Sequence, residues 1–207
     1  SITSVVNVGL NAILMGFSQA AMSVLGAYYK LHSFVFMPIF GITHGTMPVM
    51  GYNYGAGNRQ RLGEALRVAT GFAMAIMIVG TALFWIFPEQ LLGFFESTPE
   101  MVAIGVPALR IISVSFVVAA ADIMFSTLFQ ATGMGIYSLV VSVMRQLAII
   151  LPAAWIFSRL WGLGAFWFAF PVSELAALCA SFAFYQRLKR EKLQFMAPRQ
   201  EQPKAAP

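Results

Sequence analysis

Six apolar segments, each near or above the length that crosses a bilayer, leave this chain few ways to fold. They cover roughly residues 2–19, 31–54, 68–87, 103–130, 136–157 and 163–185. A helix needs about 20 consecutive apolar residues to cross the hydrocarbon layer, and only helices or closed barrels satisfy their backbone groups there. Long, continuous segments rather than short alternating ones read as helices. Charged residues make up only 10% of the 207 positions, whereas a soluble domain carries about 25%. The sequence predicts an all-α integral membrane protein: a six-transmembrane-helix bundle over residues 1–192 and a disordered tail over 193–207. The tail reading rests on Pro198, Pro203 and Pro207 among polar residues. The first segment is short and starts abruptly, so it reads as a truncated helix in a piece of something longer.

Loop charge gives the orientation. Arg59, Arg61 and Arg67 follow the second segment, and Arg187, Lys189, Arg190 and Lys192 follow the sixth. Six alternating spans put both groups on one side. The third connection, residues 88–99, carries Glu89 and Glu96 and no basic residue. Lys30 and Arg159 are minority exceptions there. Cytoplasmic loops hold the excess of Lys and Arg, so both ends of the chain are expected in the cytoplasm, the chain lying in a bacterial inner membrane. The net charge of +5 is thus a matter of topology and gives no reason to expect nucleic acid. Trp85, Trp155 and Trp161 fall near the opposite ends of their spans, as an interfacial aromatic belt does. There is no signal peptide to read, and the single Cys179 permits no internal disulfide.

The end of the second segment has the most distinctive composition. Pro48-Val49-Met50-Gly51-Tyr52-Asn53-Tyr54-Gly55-Ala56-Gly57-Asn58 runs from apolar helix into glycines and then Arg59 and Arg61. Further along, Ser97-Thr98-Pro99-Glu100 is an N-cap with proline in the first turn. A helix from there to Gln130 would be about 48 Å long, placing Arg110 where it can snorkel to the interface. Pro38, Pro48, Pro107, Pro152 and Pro171 mark expected bends.

Three charges lie deep in their spans. Asp122 is 12 residues before Met134 and Arg145 is 11 after it. Arg145 is 15 before Leu160 and Glu174 is 14 after it. All three are therefore expected in one layer near mid-membrane, where a charge costs at least ~2.5–3.5 kcal/mol. Two acids and one arginine leave one carboxylate to be protonated or to bind a cation; the alternative is a charge cluster that pins three helices together. Asp122, Ser126 and Gln130 follow i, i+4, i+8 spacing and share a face. Ser4, Asn7 and Asn11 form a polar stripe on the first helix, which reads as packing hydrogen bonds as readily as ligands. His32 and His44 read as packing histidines. There is no metal-ligand spacing and no nucleophile–base set, so an enzyme is not expected.

The run from Pro48 to Asn58, with Tyr52, Asn53, Gly55 and Ala56, resembles the motif of the multidrug and toxic compound extrusion (MATE) transporters. Leu109-Arg110-Ile111, Phe129-Gln130-Ala131-Thr132-Gly133, Arg145-Gln146 with Pro152, and Phe170-Pro171 are similar at matching places. The resemblance implies the C-terminal six-helix lobe of a twelve-helix, two-lobed transporter whose N-terminal lobe is missing here. It implies export of small lipophilic cations by H⁺ or Na⁺ antiport, with no other cofactor. It also implies that Asp122 is the nearest match to the cation-binding carboxylate of the sodium-coupled branch, whose second acid is absent from the first helix. The alternatives are a flippase of lipid-linked saccharides from the same superfamily, expected to need more cavity cations than Arg145, and a membrane-embedded enzyme or assembly subunit.

Overall fold

The computed structural model describes residues 2–193, and among them every regular element is helical. The helices are α1 (Ile2–Met15), α2 (Gln19–Gly55), α3 (Arg59–Ile86), α4 (Pro88–Gly93), α5 (Pro99–Ser113), α6 (Ser115–Ala131), α7 (Gly135–Val143), α8 (Ile150–Trp161), α9 (Leu163–Phe166) and α10 (Ala169–Glu191). A π-helical segment, Met144–Ile149, joins α7 to α8. α2, α3, the continuous run Gly135–Trp161 and the run Leu163–Glu191 are each long and apolar enough to cross a membrane, and α5 with α6 makes a fifth, bent crossing. α1 is the sixth apolar element, at 14 residues. The expected tail lies outside the described residues except for Leu193, which is buried.

Caps set several ends. Ser18, Asn58 and Thr98 each accept a backbone N–H three residues on, from Ala21, Arg61 and Met101. Gly133 and Gly162, at φ +75° and +80°, take the left-handed turns that close α6 and α8.

Three features depart from the sequence reading. The second helix starts at Gln19 rather than near residue 31. The stretch through Lys30, read as a connection, is helix whose buried face includes Ala21, Val24, Leu25 and Tyr28. Second, the helix from Pro99 is bent by 43° between α5 and α6, at Val114 rather than at the expected Pro107. Hydroxyls crowd the backbone carbonyls at that break: Thr81 donates to the Ser113 carbonyl, Ser115 to Ile112 and Ser113 to Arg110. Such competition bends helices. Third, the fifth span widens into the π segment. Pro152 supplies no N–H, and its ring presses on the carbonyl four residues back, at Ala148, inside that segment. Pro171 acts likewise on Trp167, where α9 and α10 separate.

One apolar core runs through the bundle from Leu10 and Leu25 to Phe84, Phe116 and Trp167. α2 and α3 pack tightly where Gly80 faces Val35; a Cβ there would lie 2.5 Å from Val35 Cγ1. A second cluster of Met50, Leu62, Leu128, Phe129, Leu188 and Leu193 closes one end. That end carries Arg59, Arg61, Arg187, Lys189 and Arg190, and is called the basic end below.

Candidate functional site: a buried charge cluster

The π segment brings Arg145 against α10, where its Nη1–H donates to Glu174 Oε1 in an ion pair. The two side chains are 25% and 15% accessible. Asp122, on α6, is only 5% exposed. It does not join this pair; it accepts a hydrogen bond from the Ser181 hydroxyl of α10. The three charges are close enough to act on one another electrostatically. They do not form a flat layer. Asp122 meets α10 at Ser181, seven residues and about 10 Å nearer the basic end than Glu174. Counting outward from the turns assumed straight α-helices, and the π segment and the α9–α10 break shift the levels.

Below Asp122 the shared face of α6 continues as expected, but with a partner from α7. Ser126 and Ser138 are hydrogen-bonded to each other, and Gln130 Nε2 donates to Ser138 Oγ at 3.2 Å and to Ser126 Oγ at 3.5 Å. Gln130 is exposed at the basic end. Asn7 and Asn11 remain a local pair on α1: Asn11 Nδ2 donates to the Asn7 carbonyl at 2.9 Å. No described hydrogen bond joins them to the acids.

Sequence reasoning missed Ser138, Ser181 and Tyr28, and read His32 only as a packing residue. Tyr28 is buried in α2 within reach of the charges of Glu174 and Arg145. His32 stacks on Phe36 at 3.8 Å and also feels Arg145. A signal for the serines was present: Ser138 and Arg145, like Glu174 and Ser181, are seven residues apart and so on one helical face. His44 is exposed. In the motif at the end of α2, Asn53 is buried and bonds back to the Val49 carbonyl at 2.8 Å, while Tyr52 is 76% exposed. Pro48 lies within the helix, and Gly55 and Ala56 end it. A cavity of about 740 Å³ at the non-basic end is lined by Lys30, Glu96 and Glu100, and an apolar groove of about 460 Å³ flanks α2 and α3. Neither is lined by the buried charges. Among the described residues, no three or more His, Cys, Asp or Glu side chains cluster as a metal site would require.

An all-α bundle of apolar, membrane-length helices with ionisable side chains held inside it is a membrane fold rather than a soluble helical one. The MatE family model matches residues 1–156. The chain belongs to the MatE family. Among curated relatives, it is 25% identical over 185 residues to the multidrug export protein MepA of Staphylococcus saprophyticus and 26% identical to that of Staphylococcus aureus. Each match covers 89% of this chain and 40% of the relative, so the chain spans well under half the length of the proteins it matches. The fold is similar to part of a solved structure described as the outward-facing conformation of a multidrug resistance MATE family transporter of the MOP superfamily, with a TM-score of 0.85 at 24% identity over 93% of this chain and 44% of that one. The bent form of the Vibrio cholerae MATE transporter VcmN gives a TM-score of 0.87 at 19% identity, over 94% of this chain and 44% of that one.

Proposed function

We propose that this chain is one lobe of a two-lobed secondary transporter that exports small lipophilic cations in exchange for inward H⁺ or Na⁺, with Asp122 as the coupling acid. One observation carries the reading. Arg145 is committed to Glu174, which leaves Asp122 buried in the bilayer with a neutral serine as its hydrogen-bonding partner. A carboxylate kept there at several kcal/mol suits a group whose charge is exchanged during transport. The curated relatives, described as multidrug export proteins, support the substrate class. The pairing of Arg145 with Glu174 also counts against a flippase of lipid-linked saccharides, because among the described residues it leaves no unpaired arginine inside the bundle to meet a pyrophosphate. The test is ethidium efflux from cells expressing the complete transporter, compared with cells expressing this chain alone. Ion-gradient-driven efflux is expected only from the former. Efflux by this chain alone would overturn the one-lobe reading, and no protection against any lipophilic cation would overturn export.

The basic end is proposed to face the cytoplasm of a bacterial inner membrane. With Cys179 first replaced by alanine, single cysteines at Gln60 and Arg190 should resist an impermeant thiol reagent added to intact cells, while one at Glu96 should react. The reverse labelling pattern would overturn this orientation.

A further inference from the structure

We infer that Ser126 and Ser138, held by Gln130, form a hydroxyl relay that carries the coupling proton between Asp122 and the basic end of the bundle. This rests on the reading of Asp122 above and specifies its coupling ion. Gln130 Nε2 can only donate, and it donates to both serine oxygens. The hydrogen bond between the two serines then needs one hydroxyl to donate and the other to accept. With Ser138 donating, Ser126 keeps its own hydrogen free on the face that carries Asp122 one turn away. Residues four apart on a helix have Cβ atoms about 5–6 Å apart, a gap that one water spans. The donors of Gln130, Ser138 and Ser126 thus line up toward a charged Asp122.

The surroundings suit a conduit. Ser138 is buried and Ser126 half-buried, while Gln130 is exposed. Beside them lies the apolar cluster of Leu128, Phe129 and Leu188, with Tyr137 stacked on Phe184 at 4.6 Å. For release, the proton leaves the Asp122 carboxyl for the intervening water, which passes one of its own protons to Ser126 Oγ. Ser126 gives its original hydrogen to Ser138 Oγ, and Ser138 gives its own to bulk water beside Gln130. Each oxygen gains one proton and loses one, so only Asp122 and bulk water change charge. The hydroxyls finish pointing inward, in the orientation that a carboxylate at Asp122 favours, and rotate back before the next cycle.

The experiment uses the complete transporter in proteoliposomes, with ethidium as substrate and an imposed pH gradient. Alanine at both Ser126 and Ser138 should slow export about a hundredfold, the lower bound for positioned proton transfer. Ethidium affinity and the pH midpoint should stay at wild-type values, because Asp122 still titrates. Threonine at both positions, which keeps the hydroxyls, should restore the rate; failure of this rescue means the serines act by packing and overturns the relay. Wild-type rates in the double alanine variant, with Asp122→Asn inactive, overturn the relay and leave Asp122 as coupling acid. Wild-type rates in both variants overturn the coupling role of Asp122 and the relay with it. Export that follows a Na⁺ gradient and ignores pH overturns the relay alone.

Discussion

Asp122→Asn is expected to abolish gradient-driven export in the complete transporter while leaving insertion and abundance near wild type. The asparagine side chain has the shape of the carboxyl and can still accept the Ser181 hydroxyl hydrogen bond. Arg145 keeps Glu174, so no buried charge is stranded. What is lost is a group able to exchange a proton or cation, and with it a contribution of the order of 10²–10⁴ in rate. Dye efflux measured beside the amount of protein in the membrane checks this. Normal export by this variant would make the cluster structural and place coupling elsewhere in the complete transporter.

The second large effect is on stability. Glu174→Gln should lower the folded fraction more than Asp122→Asn does, because it leaves the Arg145 guanidinium without its partner, and arginine cannot discharge by losing a proton. Breaking a buried pair typically costs about 3–5 kcal/mol, and the residual accessibility of this pair argues for the lower end. Arg145→Ala should also destabilise, but less, since Glu174 can take up a proton. Replacing both residues with methionine should recover most of the loss, as apolar replacement of whole buried pairs often does. Thermal unfolding in detergent, read as Tm for the single and double variants, measures this. Equal Tm values for Glu174→Gln and Asp122→Asn would show that Arg145 does not depend on Glu174.

Most of the crossing segments, the Thr98 cap and the identity of the buried charges could be read from the chain because each depends on local composition. The start of α2 could not. Lys30 and the small residues before it lower the hydropathy of a stretch whose buried face is set by its neighbours. The bend at Val114 depends on Thr81 of another helix reaching the Ser113 carbonyl, a contact that no local pattern reports. The prolines were visible, but the form each distortion takes, a widened turn before Pro152 and a break before Pro171, follows from packing. The pairing inside the cluster was open for the same reason. Sequence depth put Asp122, Arg145 and Glu174 in one layer, whereas the π segment and α10 pair Arg145 with Glu174 and leave Asp122 to Ser181.

The close contact of Val35 with Gly80 lies almost at the midpoint of the 37-residue α2. A rigid tilt of α2 against α3 would pivot there. With about 24 Å of helix on the Gln19 side and about 30 Å on the Gly55 side, a tilt of roughly 10° about that point would swing the ends by about 4 and 5 Å in opposite directions. An opening at the rim near Gln19 would then be matched by a closing near Gly55, joined by leverage alone and with no bend required in α2.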